Sequence, residues 1–146
     1  IPVDNRVLSV REAAATPFVA RKLEVAEGTP VVFVERLRSV GGVPLSLDTS
    51  SLRPEALPVL LGADLAHIDV FSLLEAELGL KLGWAEVTTE AVSADEATAT
   101  LLRIRAGAPL LLLHRLTYLD DETPFDLEAI RYRGDRLCLV TTIPRS

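Results

Sequence analysis

The sequence predicts an α+β fold in which a central antiparallel sheet carries short helices. Two observations predict it. A pattern of strand, short helix and hairpin occurs twice, in residues 12–52 and 91–131, and the stretch between the copies has helical apolar spacing. Gly28 and Pro30 match Gly107 and Pro109 at a constant separation of 79 positions. Two copies of one unit predict a pseudo-symmetric domain whose central cleft offers a ligand equivalent groups from both sides.

The internal repeat extends through apolar and charged positions. The separation of 79 also holds for Leu23/Leu102, Val25/Ile104, Val32/Leu111, Val34/Leu113 and Arg36/Arg115. After one inserted residue the separation becomes 80, which aligns Asp48 with Glu128. Each copy therefore places a basic residue on its first hairpin strand and an acidic residue on the second.

The first copy contains the signals for each of its elements. Residues 7–13 read as a strand, and Thr16-Pro17 supplies a cap and a first-turn proline for a helix ending near Val25. Residues 31–40 and 43–50 then read as a hairpin around Gly41-Gly42.

The second copy repeats these elements and adds a strand. Residues 85–92 read as a strand, and Ser93 followed by Glu96 forms a capping-box pattern. A hairpin of residues 110–119 and 124–132 follows, and residues 136–143 are predicted to close the sheet. The insert between the copies predicts helices at residues 54–61 and 70–78.

Composition limits the classes of function. The 146 residues (15.8 kDa, 49% apolar) predict one domain over residues 1–146, and the longest apolar runs are far shorter than the roughly 20 residues that span a membrane. The net charge is −6, and the scattered basic residues give no footprint for a phosphate backbone, so this chain alone is not expected to bind nucleic acid.

Two further features bear on context. A chain that begins at Ile1 and contains no methionine is expected to be part of a longer protein. The single cysteine, Cys138, lies in the apolar run LCLV, which predicts a buried core residue and a reducing, cytoplasmic setting.

Strand alternation selects candidate binding residues, because residues two apart share a face of a sheet. Arg36 and Arg38 share a face with the apolar, β-branched residues that precede them on their strand. On the returning strand, Asp48 shares a face with a serine on either side of it. In the second copy, one face carries Asp126, Glu128 and Tyr132. Arginine pairs grip anions, and carboxylates accept hydrogen bonds from sugar or amine groups. The alternative is a solvated face with an Arg36–Asp48 cross-strand ion pair.

Ser72 is a further candidate, because it falls in the first turn of the predicted helix at residues 70–78, where free N–H groups favour an anion. The alternative is that Ser72 or Asp69 simply caps that helix. Trp84 and Phe71 are expected to pack in the core. His67 and His114 are isolated, and no metal-ligand spacing, nucleophile elbow or phosphate loop occurs, so no catalytic residue, metal or cofactor is predicted.

A family likeness covers nearly the whole chain. The segments GTPVVFVERLRSVGGVPLSLDTSSL, DVFSLLEAELG and GAPLLLLHRLTYLDDETPFDLEAIRYRGDR resemble the UTRA domain, the effector-sensing half of the HutC-type branch of GntR bacterial transcription regulators. The most specific pieces are R-L-R after the first long strand and Y-R-G-D-R near the end.

The resemblance implies a chorismate-lyase-like α+β fold, a small-molecule pocket, homodimerisation, and an N-terminal winged helix-turn-helix, absent from this chain, that contacts DNA. It implies that Arg36, Arg38 and Ser72 hold the acidic or phosphate part of the effector. In sugar-phosphate-sensing members, positions matching Asp48, Asp126 and Tyr132 reach the rest of the ligand.

Three departures from the family pattern affect the expected ligand. Leu74 replaces a tyrosine two residues after the serine, and Asp48 and Asp126 stand where glutamate is common. These changes disfavour a hexosamine phosphate and leave a small anionic effector: a sugar phosphate, an amino acid or another carboxylate. The expected function is effector sensing that alters the DNA affinity of the full protein. The rivals are a chorismate-lyase-type enzyme and a freestanding binding module.

The strand at residues 110–119 predicts the homodimer independently. Leu111 and Leu113 lie on one face, and Leu110, Leu112 and Leu116 lie on the other. A strand that is apolar on both faces must be covered on both. A partner subunit would supply the second cover, and the alternative is that the short helices suffice.

Overall fold

The computed structural model describes residues 2–67 and 69–145. It is a six-stranded antiparallel sheet with the strand order β1-β2-β3-β6-β5-β4, which confirms the predicted α+β class. The elements, in chain order, are β1 (Val3–Ala14), α1 (Pro17–Leu23), β2 (Pro30–Val40), β3 (Val43–Leu52), a 3-10 turn (Pro54–Ala56), α2 (Leu57–Leu60), α3 (Val70–Leu78), β4 (Leu82–Ser93), α4 (Glu96–Leu102), β5 (Pro109–Leu119) and β6 (Pro124–Arg133).

The two sequence copies form the two halves of this sheet. β3 of the first copy pairs with β6 of the second, and Thr49 lies opposite Ala129, its own counterpart in the repeat. On either side of that pair the register is reciprocal: Asp48 faces Ile130, and Ser50 faces Glu128. A pseudo-two-fold axis therefore passes between the central strands. α1 of the first copy packs on β6, and α4 of the second packs on β3.

Local signals start both helices of the repeat. The Thr16 hydroxyl accepts a hydrogen bond from the Val19 N–H at 3.3 Å, as the Thr-Pro signal predicts. The cap predicted at Ser93 is wrong. Ser93 is the last residue of β4, paired with Pro109, and the Asp95 carboxylate caps α4 by accepting from the Thr98 N–H at 2.8 Å.

The sheet has two unequal faces. The helix face carries α1 and α4, and Leu116 packs under α1 while Leu110 packs under α4. The opposite face, here called the cavity face, is covered over β2 and β3 by the helices of the insert, whose Leu60 and Leu74 pack on Val32. This cover reaches only one end of β4 and β5, at Leu82 and Leu119.

The predicted last strand at residues 136–143 is wrong, because the segment runs without regular structure after a turn at residues 134–136. β6 is already flanked by β3 and β5, so a strand following directly from it finds no free edge beside it. Cys138, predicted to be buried, is therefore exposed. Trp84 is also not in the core: it is 49% exposed and stacks on Tyr118 at 4.1 Å between ring centroids. Among the described residues, no helix is long and apolar enough to cross a membrane.

Gly134, in the middle of Y-R-G-D-R, has a structural reason to be glycine. Its N–H donates to the Pro109 carbonyl at 3.0 Å, and a Cβ at this position would lie 2.7 Å from that oxygen. We predict that Gly134→Ala lowers the free energy of unfolding by about 1–3 kcal/mol, because the backbone must shift to relieve the overlap. Denaturant unfolding measures this. Asp135→Ala, which removes only an exposed ion pair, is the control; equal stability of the two variants would contradict the close approach.

Candidate functional site

A strongly charged concavity lies on the cavity face, between the sheet and the start of α3. It is a cavity of about 440 Å3, within the size range of small-molecule sites. β2, β3, β5 and β6 form its floor, β1 contributes one residue, and the segment entering α3 forms one wall. The polar and charged lining residues are Asn5, Arg36, Arg38, Ser50, His67, Asp69, Arg115, Asp126 and Glu128.

The charges on the floor follow the pseudo-symmetry of the fold. Arg36 on β2 lies opposite Asp48 on β3, and Arg115 on β5 lies opposite Glu128 on β6. The repeat relates the two arginines to each other and the two acids to each other. Both halves therefore place an acid on a central strand and an arginine on the strand outside it.

These opposite charges are not paired with each other. Within the described part of the chain, no guanidinium nitrogen of Arg36, Arg38 or Arg115 comes within 4.0 Å of a carboxylate oxygen. Arg38 instead uses its Nε to donate to the Asn5 Oδ1 at 3.1 Å, which orients the guanidinium from β1. The alternative of an Arg36–Asp48 ion pair is therefore not what the structure shows.

The carboxyl groups at the centre are buried. Asp48 is 5% exposed and accepts one hydrogen bond from the Ser46 hydroxyl at 2.9 Å. Burial raises the pKa of Asp48, although Ser46 and the nearby arginines oppose that change. Burial also raises the pKa of Asp126 well above its usual range, with the Glu128 charge adding to the effect, and raises the pKa of Glu128. Burial therefore makes the ionised form of these acids less favourable than it is in water.

Several buried polar atoms of this region lack a hydrogen-bond partner. They are the Arg36 Nε, the Asp126 Oδ1 and the Thr117 Oγ1, and Thr117 lies opposite Asp126 in the sheet. An unsatisfied buried polar group costs about 1–3 kcal/mol, and native proteins keep few of them. Two of these atoms, one from a basic and one from an acidic residue, belong to side chains that line the cavity, those of Arg36 and Asp126.

The structure brings only some of the predicted site residues to the cavity wall. Arg36, Arg38 and Asp126 line it. Asp48 lies beside the two β2 arginines, whose charges act on its carboxyl. Tyr132 follows on the same face, opposite Ser46, where burial and the Asp48 charge raise the pKa of its phenol.

The residues predicted on α3 lie further out or inside the core. Asp69 caps the helix by accepting from the Phe71 N–H at 3.2 Å, and the Ser72 hydroxyl donates to the other Asp69 oxygen at 2.7 Å. The capping alternative therefore describes both residues here. Leu74 is 1% exposed and packs in the core rather than on the cavity. Phe71, predicted to pack in the core, lines the cavity.

Two of the lining residues absent from the predicted set contribute to the charge arrangement. Arg115 lines the cavity, with its guanidinium carbon 5.7 Å from the centre of the Phe71 ring. The sequence feature that indicates Arg115 is the internal repeat, which aligns it with Arg36. Asn5 had no signal, because only the pairing of β1 with β2 brings it opposite Arg38.

The arrangement is suited to binding. Among the described residues, no group of three or more histidines, cysteines and acids has the geometry of a metal site. His67 contacts Asp64 at the rim through an Nδ1 to Oδ2 distance of 2.8 Å. His114 lies on the opposite, helix face beside Phe18, where burial lowers its pKa. Guanidinium and carboxyl groups face this cavity from both halves of the sheet.

Comparisons with known proteins find one family over nearly the whole chain. The family model described as the UTRA domain matches residues 2–137. The chain is 25% identical over 134 residues to the uncharacterized HTH-type transcriptional regulator YydK of Bacillus subtilis, covering 92% of this chain and 56% of YydK. It is 26% identical over 141 residues to the HTH-type transcriptional repressor NagR of the same organism, covering 97% of this chain and 58% of NagR.

Solved structures share the fold. The crystal structure of the effector domain of PhnF from Mycobacterium smegmatis superimposes with a TM-score of 0.89 at 24% identity, covering 99% of this chain and 88% of that domain. The chain spans little more than half the length of the curated regulators it matches.

The raised pKa of Asp126 has a measurable consequence for stability. In the unfolded chain the Asp126 carboxyl has a pKa near 3.8 and releases its proton above that pH. In the folded chain the pKa is higher, so the carboxyl keeps its proton. Folding stability is therefore lost as the pH rises above about 4. Asn resembles the protonated acid and cannot ionise. We predict that Asp126→Asn raises the Tm at pH 7 by about 2–8 °C, the shift expected for roughly 1 kcal/mol, and that this gain shrinks as the pH falls toward 4.

Thermal unfolding across that pH range measures the effect. Asp120→Asn, the same chemical change at an exposed turn position, is the matched control and should leave the Tm nearly unchanged. A lower Tm for Asp126→Asn at pH 7 would show that the ionised carboxylate stabilises the unliganded fold, contrary to this account.

Proposed function

Because this chain belongs to the UTRA domain family, we propose that it is the effector-sensing part of a bacterial GntR-type transcription regulator and that its cavity binds a small anionic metabolite. The observation that carries the proposal is the set of arginines on the cavity floor that form no ion pair with the acids beside them. Guanidinium groups held in this way are available to a ligand.

The anionic group is assigned to the β2 side of the cavity. Arg36 and Arg38 are two residues apart on one face, and Asn5 orients Arg38. Guanidinium forks bind carboxylate and phosphate in bidentate fashion, so both chemistries fit. Sugar phosphates, amino acids and other carboxylates are therefore the candidate effectors. Ser72 is connected to this end of the cavity only by its hydrogen bond to Asp69, and the Asp69 carboxylate occupies the N-terminus of α3.

DNA contact is assigned to a part of the protein outside this chain. The chain has a net charge of −6 and scattered basic residues, whereas it covers little more than half the length of its HTH-type relatives. Effector binding would shift the population of domain arrangements and so change operator affinity, with the reciprocal change in effector affinity on DNA. We place this activity in the cytoplasm, where bacterial operators are.

We propose that this chain senses a ligand and does not catalyse a reaction. The relatives are named as transcription regulators, which favours sensing over a chorismate-lyase-type reaction. The buried acids of the cavity have raised pKa values, a property that catalytic and binding sites share. Turnover of a bound ligand by the wild-type chain, lost in Asp126→Asn, would favour the enzyme.

The homodimer is assigned to the part of the cavity face that the insert leaves uncovered. Val32 and Val34 are buried beneath the insert, whereas their counterparts in the second half, Leu111 and Leu113, are partly exposed. Val87, opposite Arg115 on β4, is 53% exposed on the same face.

A second copy is the occupant we infer for this open face. The sequence predicts that both faces of β5 are covered. On the helix face, α1 and α4 cover Leu110 and Leu116. On the cavity face, nothing in the described chain covers Leu111. The segment after β6 exposes further apolar side chains, at Leu139, Val140 and Ile143. In an isologous dimer the same apolar surface of each subunit packs against that of the other, so one interface buries both copies of it.

We predict that Arg38→Ala weakens effector binding by roughly 2–5 kcal/mol, because the ligand charge would be desolvated without its partner. A thermal-shift screen of sugar phosphates, amino acids and carboxylates identifies a stabilising compound, and calorimetry on the variant measures the loss. Arg105→Ala, at an exposed arginine in the turn after α4, is the matched control. Unchanged affinity in Arg38→Ala would contradict the assignment of the anion end.

We predict that wild-type chain at micromolar concentration scatters light as a dimer and that Val87→Glu makes it monomeric, at the chain mass of 15.8 kDa. The new carboxylate would have to be buried in the interface, and desolvation makes that costly even with Arg115 opposite it. Thr88→Glu, one residue along β4 and on the helix face, adds the same charge and should leave the dimer intact. A wild-type mass of one chain at every concentration refutes the dimer.

A further inference from the structure

One end of the sheet gathers arginines that are far apart in the sequence. It is the end at which β1 begins, with Val3 opposite Val40, and at which β6 ends, with Arg133 opposite Leu110. Two concavities, of about 340 and 330 Å3, open there on the side of α4 and meet at Arg103. The arginines that line them, here called the basic surface, are Arg6, Arg103, Arg105 and Arg133.

The basic surface has the opposite charge to the chain as a whole. Its two concavities contain four arginines and two acids, whereas the chain has 15 basic and 21 acidic residues. Asp135 holds Arg133 in an ion pair at 2.8 Å, and the Arg133 side chain is only 11% exposed. Arg6, Arg103 and Arg105 are exposed and form no ion pair within 4.0 Å in the described part of the chain. Three guanidinium groups are therefore free to bind an anion.

The internal repeat shows that the fold does not require these charges. Arg103 and Arg105 correspond to Glu24 and Ala26 at the separation of 79 positions. Glu24 and Arg103 end α1 and α4 with the same left-handed backbone, each at a φ of 56°, and each N–H donates to the last turn of its helix. A basic residue is favourable at a helix C-terminus, but α1 forms the same ending with an acid. The arginines after α4 are therefore available for another role.

The position of the basic surface brings it close to the rest of the protein. The chain enters the sheet at the start of β1 and leaves it at the end of β6, both at this end. A part of the protein that precedes β1 is therefore joined next to the arginines, and one that follows β6 departs from the same end. The relatives are HTH-type regulators, of which this chain spans little more than half, so DNA held by such a part would lie nearest this end.

DNA has the chemistry that fits exposed arginines spread over two adjoining concavities. Its backbone presents phosphates in a continuous row, and guanidinium groups bind phosphate through charge-assisted hydrogen bonds. A small anion would need the arginines to converge on one pocket, whereas Arg6 and Arg105 lie in separate concavities. The acidic remainder of the chain repels DNA, in agreement with the expectation that this chain alone does not bind it.

We propose that the basic surface contacts the phosphate backbone of DNA while the complete regulator is bound to it. This inference rests on the proposed function, because the helix-turn-helix part outside this chain must bring DNA to the surface. It goes further in assigning to the sensing domain a share of the DNA affinity that is independent of sequence, since phosphate contacts position the protein and read no base.

The salt dependence of DNA binding tests the inference, because each phosphate contact adds about 0.9 to the slope of log Kd against log salt concentration. The probe is a fluorescein-labelled duplex of mixed sequence and about 40 base pairs, titrated with the complete regulator in about 50 to 200 mM KCl. We expect the double variant Arg6→Gln/Arg103→Gln to lower the slope by about 2 and to weaken binding about tenfold or more at roughly 100 mM KCl.

Two further variants serve as controls. Arg21→Gln/Lys81→Gln removes the same charge from exposed positions away from the basic surface and should leave the slope nearly unchanged. Asp4→Asn removes an acid from the concavity that contains Arg6 and should tighten DNA binding, a gain that a damaged fold could not produce.

The outcomes separate this inference from the proposed function. If Arg6→Gln/Arg103→Gln binds with the wild-type slope, the inference is wrong, while a compound from the thermal-shift screen that alters DNA affinity in the same assay leaves the proposed function standing. Weaker binding at an unchanged slope also overturns the inference, because the arginines would then hold the helix-turn-helix part and not DNA. If the complete regulator does not bind the duplex even at about 50 mM KCl, both proposals fail.

Discussion

The pairing of β3 with β6 is the contact on which the rest of the structure depends. It joins the two copies of the repeat with Thr49 against Ala129, and the reciprocal register on either side follows from that one pair. A shift of one residue would turn the buried acids toward α1 and α4 and the apolar residues of β3 toward the cavity. The register therefore decides which chemistry the cavity presents.

Pseudo-symmetry also explains why the cavity holds both signs of charge. Each copy contributes an arginine on its outer hairpin strand and an acid on its inner strand, so joining the inner strands gathers acids at the centre. Burial then makes these acids costly to ionise, while the arginines remain too distant to neutralise them by direct contact. The fold accepts this cost where a ligand can relieve it.

The symmetry is broken by one insertion, and the break has a consequence for assembly. Residues 53–67 and 69–81 cover the first half of the cavity face and form the wall of the cavity. Within the described chain they reach the second half only at Leu82 and Leu119, and Leu111 and Leu113 stay partly exposed where Val32 and Val34 are buried. The open face adjoins Arg115, so a subunit seated there would lie beside the cavity.

The sequence predicted the features that depend on local spacing. Alternation in a strand is local, so the sequence predicts one shared face for Arg36 and Arg38 and another for Asp126 and Glu128. The structure brings both pairs to one cavity. Their role in binding stays a prediction. The repeat predicts the hairpins and aligns Arg115 with Arg36. Only the pairing of β5 with β6 shows that Arg115 lies opposite Glu128.

Features that depend on tertiary context were not predictable in the same way. The side of α3 that meets the sheet puts Leu74 in the core, and spacing alone does not choose that side. The segment at residues 136–143 has strand composition, but strand formation requires a free neighbouring edge, and β6 has none. Asn5 reaches Arg38 only through a pairing between β1 and β2.

The central claim is that the cavity holds buried acids which the chain leaves unsatisfied and a ligand completes. Carbon-13 NMR titration of the Asp126 and Glu128 carboxyl groups tests it most directly. The account predicts that both titrate above their usual values of 3.8 and 4.5 in the free domain, and that the pKa of Asp126 falls when an effector binds. Titration of Asp126 at or below 3.8 in the free domain would contradict it, because the carboxylate would then already be satisfied by the protein.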